Sequence, residues 1–301
     1  MSLASVTGAC APDGRPAPFN VAHRGASAYA PEHTLESYRL ALEQGADYVE
    51  QDLGITSDGV LVCLHDVSLE RTTNVAEVFP DRFTEVMERG VPVKRWFVDD
   101  FTLAEVQRLD AGSWFAPEFA GARVATFQEA IDLVKGRAGI FPELKAPARL
   151  REKGVSLEDA VDRVLRDNGL VDATVGGRPA VLLQSFEEAS VRTLARLLPT
   201  VPRTFLIGTP DAGERWLTPS GLADMATFAT GVGPMKPFIE REPSLVTQAQ
   251  AAGLTVVPWT FRARSVPAPY ADVTAEMRTF LVDYGVDGLF TDNPDLFPQL
   301  P

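Results

Sequence analysis

Short apolar runs alternate with amphipathic helical stretches along almost the whole chain, and this alternation limits the folds that the chain can adopt. Strands that are separated by helices form βαβ units, in which the strands are parallel and the helices cover the sheet. We count eight candidate strands, at residues 19–23, 47–55, 139–145, 180–185, 203–207, 227–231, 255–260 and 288–291. Eight such units predict an α/β fold of the closed TIM (β/α)₈ barrel type, in a single domain that spans residues 1–301. An open doubly wound sheet would normally carry a glycine-rich dinucleotide loop, and the sequence has neither a G-x-G-x-x-G string nor a P-loop.

The helical stretches carry start and stop signals. A Ser or Thr followed three residues later by an acid can form a capping box, in which each side chain binds the free backbone N–H of the other residue. Such pairs occur at Thr102 and Glu105, Thr126 and Glu129, Ser156 and Asp159, and Ser185 and Glu188. Gly45 and Gly285 follow apolar faces of helical spacing and are predicted to end their helices.

One long stretch interrupts the alternation after the second strand. About sixty residues separate His65 from Thr126, which is too many for an ordinary connection. We expect residues 66–122 to form an inserted subdomain. A connection that follows a barrel strand lies at the C-terminal mouth, where barrel enzymes keep their chemistry, so this segment is predicted to cap the mouth and shape substrate access.

The composition excludes several classes of protein. With 45% hydrophobic residues and a mean hydropathy of −0.02, the chain can bury a globular core. A formal net charge of −13 argues against non-specific nucleic-acid binding, which needs a basic surface. We therefore expect no nucleic-acid partner, and an anionic substrate would need a locally positive pocket. The oligomeric state is left open.

The sequence gives limited information on location and on cysteine chemistry. No apolar run is long enough to predict a transmembrane helix, and the start lacks the regions of a signal peptide. A periplasmic or secreted location is expected if an export signal was trimmed from this sequence, and a cytoplasmic one otherwise. Cys10 and Cys63 are too few for a disulfide framework, and Cys63 is predicted to pack in the core.

A polar cluster lies on the predicted strands. Glu50 and Asp52 are two residues apart in the strand at 47–55, so they point to the same face with Cα atoms roughly 6 to 7 Å apart. Two carboxylates held side by side repel unless a proton or a cation lies between them. Glu143 and Lys145 form a second pair of this spacing, and all three histidines fall within 43 residues. A single Glu-x-Asp pair would normally be a solvated strand face, but together with Arg24 the group predicts a metal-assisted phosphate site.

These residues stand in motifs that extend over nearly the whole chain, and with them the chain resembles the glycerophosphodiester phosphodiesterase family. The surroundings of His33, the Glu50-Gln51-Asp52-Leu53 string and the long insertion are similar to the periplasmic, calcium-using branch. The motifs are His23-Arg24-Gly25-Ala26-Ser27, Pro31-Glu32-His33-Thr34, Gly45 to Asp52, Thr56-Ser57-Asp58-Gly59, Leu64-His65-Asp66, Arg71-Thr72-Thr73, Asp110 to Phe115, Pro142-Glu143-Leu144-Lys145, Gln184-Ser185-Phe186, Pro258-Trp259-Thr260 and Gly285 to Pro294.

The resemblance implies a TIM-barrel hydrolase of glycerol and lipid metabolism. Such an enzyme cleaves glycerophosphodiesters, for example glycerophosphocholine, to sn-glycerol 3-phosphate and an alcohol. Carried over to this sequence, the metal ligands are Glu50, Asp52 and Glu143, the acid and base are His23 and His65, and the substrate-binding residues are Arg24, Lys145, Trp259 and Phe186. The cofactor is one divalent ion, for which calcium is favoured, although oxygen ligands also suit magnesium.

Several roles have two interpretations. Lys145 could bind phosphate or only pair with Glu143 or Asp52, and Trp259 and Phe186 could wall the substrate pocket or fill the barrel. Asp66 could orient His65 or cap the following turn. Many relatives carry Asn at the position of His33, which leaves His33 without an assigned role; it could pack or form hydrogen bonds beside the helix start.

Three functional alternatives also stay open. The enzyme could act as a lysophospholipase D or on a polymeric glycerophosphate. A catalytically inactive phosphate-ligand binding protein is the alternative of another class. The sequence assigns neither the acid and the base, nor the leaving alcohol, nor a cyclic intermediate against direct attack by water.

Overall fold

Parallel strands form the wall of a barrel in the computed structural model, which describes residues 17–300. The strands are β1 (Phe19–Ala22), β2 (Tyr48–Ile55), β3 (Leu61–Cys63), β4 (Thr84–Glu88), β5 (Val91–Arg95), β6 (Gly139–Leu144), β7 (Thr174–Val175), β8 (Arg178–Pro179), β9 (Leu183–Ser185), β10 (Arg203–Ile207), β11 (Gly231–Pro234), β12 (Thr255–Val256) and β13 (Gly288–Thr291). The α-helices are α1 (Leu35–Glu43), α2 (Val75–Val78), α3 (Leu103–Val106), α4 (Phe127–Val134), α5 (Pro147–Glu152), α6 (Leu157–Asp167), α7 (Glu188–Leu197), α8 (Pro210–Trp216), α9 (Pro219–Met225), α10 (Lys236–Arg241), α11 (Ser244–Ala251) and α12 (Val273–Arg278).

Eight of these strands make up the barrel. Their order is β13, β1, β2, β6, β9, β10, β11 and β12, and all of these neighbours are parallel, while β3 pairs antiparallel with β2. Backbone hydrogen bonds from Asp287 N to Val256 O (3.0 Å) and from Phe261 N to Phe290 O (2.8 Å) join the β12 side to β13. The predicted TIM barrel is therefore confirmed.

One of the eight predicted strands is misplaced. Residues 227–231 were expected to form a strand, but the strand is β11, Gly231–Pro234. Thr227 and Phe228 instead form the turn that ends α9, with backbone bonds of 3.0 Å to Asp224 O and Met225 O. Gly233 and Pro234 are typical strand breakers. At Gly233, however, a Cβ would lie 2.5 Å from Leu206 Cδ2 of β10, so glycine permits the close packing of two barrel strands.

Aromatic rings fill the barrel below the predicted site. Phe141 packs with Tyr48 and Phe290 at ring-centroid distances of 6.1 and 5.1 Å. Because side chains alternate along a strand, Tyr48 shares its inward face with the more C-terminal Glu50 and Asp52. An apolar floor is thus followed by a polar layer toward the carboxyl ends of the strands.

Residues 66–122 contain α2, the β4–β5 hairpin and α3. Trp96, Phe101 and Leu109 belong to a buried cluster that also includes Val62 and Leu64 next to the barrel. The segment is thereby packed against the β2–β3 side of the barrel. Its function as a cap stays a prediction.

Of the four predicted capping boxes, two are complete, one is half formed and one is absent. Thr102 and Thr126 form complete capping boxes, and the Ser156 side chain accepts from Asp159 N. The box predicted at Ser185 and Glu188 is wrong, because Ser185 lies in β9 and its hydroxyl donates to Leu144 O of β6 at 3.1 Å. Glu187 occupies the N-cap position of α7 instead.

The predicted glycine stops are also present. Gly45 and Gly285, at φ of 78° and 73°, adopt the left-handed conformation that follows a helix end. Gly45 follows α1, and Gly285 follows the π-helical turn Thr279–Asp283 that extends α12.

Cys63 is a buried free thiol, as its strand position predicted. Cys10 and the rest of the predicted start lie outside the described residues. Within residues 17–300, the helices are too short or too polar to span a bilayer.

Loss of a capping box provides a test of the fold. Thr126 Oγ1 accepts from Glu129 N at 3.1 Å, and the Glu129 carboxylate accepts from Thr126 N at 2.8 Å. We expect Thr126→Ala to lower the free energy of unfolding by about 1 kcal/mol, as measured by urea denaturation. The matched control is Thr247→Ala at an exposed site inside α11, which should be neutral or slightly stabilising. Equal stability of both variants would contradict the assigned cap.

Candidate active site

The nine residues predicted to form the site line one cavity of about 70 Å³. Glu50 and Asp52 come from β2 and Glu143 from β6, whereas the others follow the ends of strands. The nine are His23, Arg24, Glu50, Asp52, His65, Glu143, Lys145, Phe186 and Trp259. The fold therefore brings together side chains that are up to 236 residues apart, at the carboxyl ends of the barrel strands.

Three carboxyl groups lie at the bottom of this cavity. Glu50, Asp52 and Glu143 are 2%, 1% and 7% exposed. Burial and the charge of Asp52 raise the pKa of Glu50 well above its usual range and that of Glu143 to about 8. Burial alone would also raise the pKa of Asp52, but Lys145 and the hydrogen bond with His33 hold it well below its usual range. The three groups cannot all be ionised cheaply without a cation between them.

The donor chemistry of this group fits a hard divalent cation. Carboxylate oxygens are the ligands that calcium and magnesium prefer. Ligand atoms of His33, Glu50 and Asp52 lie within 4.8 Å of one another. Lys145 links Glu143 to this group, because its Nζ lies 2.8 Å from Glu143 Oε1 and 3.5 Å from Asp52 Oδ1.

Arg24 and Lys145 supply positive charge beside the carboxylates. The Arg24 guanidinium bonds to Glu32 at 3.1 Å, and its Nε lies 3.4 Å from Asp52 Oδ2. That buried Nε makes no hydrogen bond within the described part of the chain. Lys145 makes the carboxylate pairs that one interpretation predicted, and it also faces the cavity. Both cations are thus placed to meet an anion.

Two histidines present one ring nitrogen each to a carboxylate. His23 Nδ1 lies 2.7 Å from Asp292 Oδ1, and His65 Nδ1 lies 2.6 Å from Asp66 Oδ1. A carboxylate that accepts from Nδ1–H leaves Nε2 as the reactive nitrogen. Burial and the nearby Arg24 lower the pKa of His23 to about 4, although Asp292 raises it. Of the two interpretations of Asp66, contact with His65 is the one observed.

His33 is buried beside the start of α1, where it contacts Asp52 and Tyr38 at 2.8 and 2.9 Å. Within the described residues 17–300, His33 is not among those that line this cavity. Of the two interpretations of His33, hydrogen bonding beside the helix start is therefore the one observed.

Phe186 and Trp259 form an apolar wall. Their rings meet edge to face with centroids 5.5 Å apart, and Trp259 Nε1 donates to Gly233 O at 2.7 Å. Phe186 remains 42% exposed toward solvent. Both residues border the cavity, and Trp259 also packs against the buried aromatic cluster inside the barrel.

Sequence reasoning assigned no role to Asp292. It is 3% exposed and binds His23 on one oxygen, while Arg262 Nε lies 3.0 Å from the other. A signal was available, because Asp292 directly follows the last strand and His23 directly follows the first. Closure of a barrel places those strands side by side, and β1 pairs with β13. Arg262 carried no such signal.

The comparisons with known proteins decide the family. The sequence profile of the Glycerophosphoryl diester phosphodiesterase family matches residues 23–296. The chain belongs to this family. The expected membership is thereby confirmed, as is the assignment as an enzyme of this family.

The chain aligns with known relatives over most of the length of both proteins. A glycerophosphodiester phosphodiesterase of Bacillus subtilis is 32% identical, over 94% of this chain and 86% of that protein. One of Haemophilus influenzae is 31% identical, over 91% and 87%. Among solved structures, an Oleispira antarctica phosphodiesterase in complex with the product sn-glycerol-3-phosphate has a TM-score of 0.69 at 26% identity, covering 93% of this chain and 94% of that one.

The protonation of His23 offers a direct test of the site geometry. With only three histidines in the chain, NMR titration can follow each ring, and His23→Gln identifies its signals. We expect His23 to titrate near 4, below the usual 6.5. Arg24→Ala should raise this midpoint because it removes a neighbouring positive charge, whereas Asp292→Asn should lower it because it removes a stabilising negative charge.

The control for this titration is Arg39→Ala, which removes an exposed arginine of α1. It should leave the midpoint of His23 unchanged. A wild-type midpoint near 6.5 would contradict the buried, Arg24-flanked ring described above.

Proposed function

We propose that this enzyme hydrolyses glycerophosphodiesters to sn-glycerol 3-phosphate and an alcohol, with one divalent cation and histidine acid/base catalysis. The observation that carries the proposal is the single cavity in which two histidines, three carboxyl groups and three cationic side chains meet. The product found in the Oleispira antarctica phosphodiesterase supports the same chemistry.

The carboxyl groups of Glu50, Asp52 and Glu143 would hold the cation. Their burial supports this role, as do the raised pKa values of Glu50 and Glu143 beside the charge of Asp52, since a divalent ion relieves the repulsion among the three groups. Once bound, such an ion neutralises charge on the phosphate oxygens and makes the phosphorus easier to attack. The oxygen donor set suits calcium, with magnesium as the alternative.

Arg24 and Lys145 would bind the phosphate. Nε of Arg24 is buried and lies 3.4 Å from Asp52 Oδ2, but it makes no hydrogen bond among the described residues, and an anionic acceptor would supply one. In a chain with a net charge of −13, local cations are needed to attract an anionic substrate. The Phe186–Trp259 wall would then pack against the carbon atoms of the glycerol or the alcohol.

The two histidines would move the protons. One imidazole takes the proton of the attacking hydroxyl, and the other gives its proton to the leaving alkoxide. The lowered pKa of His23 keeps its ring neutral near pH 7, which favours it as the acceptor. His65, more exposed and bound to Asp66, is then the donor. Either water or a hydroxyl of the substrate can be the attacking group in this scheme.

Residues 66–122 would act as a cap on this site. Arg71 of the segment binds Glu32 and Asp66 at 2.6 and 2.5 Å, and Glu32 in turn binds Arg24. Trp114 and Phe115 line a second cavity of about 130 Å³, which shares Arg24 with the catalytic one. These contacts support a role of the segment in shaping access for the substrate.

Removal and return of the cation tests the metal site. We expect chelator-treated enzyme to release no glycerol 3-phosphate from glycerophosphocholine, and calcium to restore the activity better than magnesium. A cation that binds only the folded protein at 100 times its Kd should also stabilise it by about 2.7 kcal/mol, as measured by thermal unfolding. Glu143→Gln should abolish both effects, while Glu43→Gln, an exposed control on α1, should keep them. Full activity in the presence of chelator would refute the cofactor.

Substitution of the histidines tests the acid/base pair. We expect His23→Ala and His65→Ala each to lower kcat by about 100-fold or more while the circular dichroism spectrum stays unchanged. The kcat of the double variant should be little lower than that of the less active single variant, because the two groups act as a unit. Wild-type turnover by the double variant would rule out histidine catalysis. Binding of glycerophosphocholine without release of alcohol by the wild type would instead indicate a binding protein.

A further inference from the structure

His33 is the one histidine that the proposed mechanism does not use, although it touches the site. Its side chain is 3% exposed. Its backbone has a φ of 59°, in the left-handed region, and its N–H is bound to Arg24 O at 3.1 Å. Its ring lines a small separate cavity that includes Cys63 and Leu64. His33 therefore contacts Asp52 from outside the cavity that the proposed metal ligands line.

The hydrogen bonds of the ring fix its tautomer. Asp52 lies close to Lys145 and Arg24, and an ionised carboxylate can only accept. His33 Nε2, at 2.8 Å from Asp52 Oδ2, is therefore the N–H donor. His33 Nδ1, at 2.9 Å from the Tyr38 hydroxyl, then accepts from the phenol. Both ring nitrogens are committed, so neither carries a free lone pair.

This contact sets the orientation of Asp52. Its Oδ2 is occupied by His33, whereas its Oδ1 faces Lys145 on the cavity side at 3.5 Å. A carboxylate that is held by one oxygen presents the other in a fixed direction. Without the donor, Asp52 could turn toward Arg24, whose Nε already lies 3.4 Å from Oδ2.

We propose that His33 is a positioning residue, which, with its tautomer fixed by Tyr38, holds Asp52 so that Oδ1 is directed at the divalent cation. The inference rests on the proposed function, since it presumes the cation site. It assigns His33 to the support of a ligand and not to the set of ligands, even though its ring lies within 4.8 Å of the ligand atoms of Glu50 and Asp52.

Calcium affinity measured by calorimetry on the metal-free protein tests the proposal. His33→Leu removes the donor at similar volume and should raise the Kd for calcium by about 10- to 100-fold, the usual effect of losing a hydrogen bond to a metal ligand. His33→Gln keeps an N–H near the position of Nε2 and should recover most of the affinity. Tyr38→Phe removes only the hydroxyl and should weaken binding in the same direction by a smaller factor. At saturating calcium, kcat of all three variants should return close to the wild-type value.

His65→Leu is the matched control, because it makes the same change at a histidine that binds Asp66 and not a proposed ligand. It should leave the Kd for calcium unchanged although it removes activity. A purely structural role of His33 would lower the melting temperature of the Leu and Gln variants without separating their affinities. Equal Kd values for the wild type and His33→Leu would overturn the proposal.

Manganese, used as a spin probe, distinguishes a His33 that only positions Asp52 from a His33 that binds the ion directly. Electron spin echo spectra of the manganese-loaded wild type should lack the coupling of a directly coordinated imidazole nitrogen. Such a coupling that disappears in His33→Gln would make His33 a ligand and overturn the proposal. If the wild type bound neither calcium nor manganese, the cation site itself would fail and the inference with it. That result differs from failure of the His33 proposal alone, in which the wild type binds the cation and the His33 variants bind it equally well.

Discussion

The register between β2 and β6 determines where the charge of this site lies. Asp52 stands directly opposite Glu143 on neighbouring parallel strands, and Glu50 shares the inward face of Asp52. Negative groups are thus fixed side by side in a dry interior, where their repulsion is strong. The surrounding groups reduce this repulsion. Lys145 lies between the carboxylates of Asp52 and Glu143, and the backbone N–H of Arg24 donates to Glu50 at 2.6 Å. The strand register therefore creates the repulsion among the carboxylates, and the proposed chemistry depends on the positive groups that relieve it.

Much of this arrangement could be predicted from the sequence. The alternation of strands and helices predicts the barrel, and side-chain alternation predicts that Glu50 and Asp52 share a face. The family motifs then select nine of the residues that line the cavity. These predictions succeed because strand periodicity is local and because barrel enzymes place their sites at one end.

What the sequence did not predict depends on contacts between distant segments. The position of β11 was missed because Gly233 and Pro234 look like strand breakers until Leu206 of the adjacent strand is seen. The Asp292–His23 pair follows from barrel closure, and the His33–Asp52 contact depends on a left-handed backbone conformation at His33. Such geometry is set by tertiary packing and has no local pattern.

The floor of Tyr48, Phe141 and Phe290 closes the site on the side of the barrel interior. Because close-packed rings block the barrel axis, the proposed cation and its anionic substrate would both reach the acidic layer through the mouth of the barrel. Whatever occupies that mouth shields the layer beneath it from exchange with solvent. Under the proposed function, a cation that enters first would be retained by the substrate that follows, and it would become exchangeable again when the product departs.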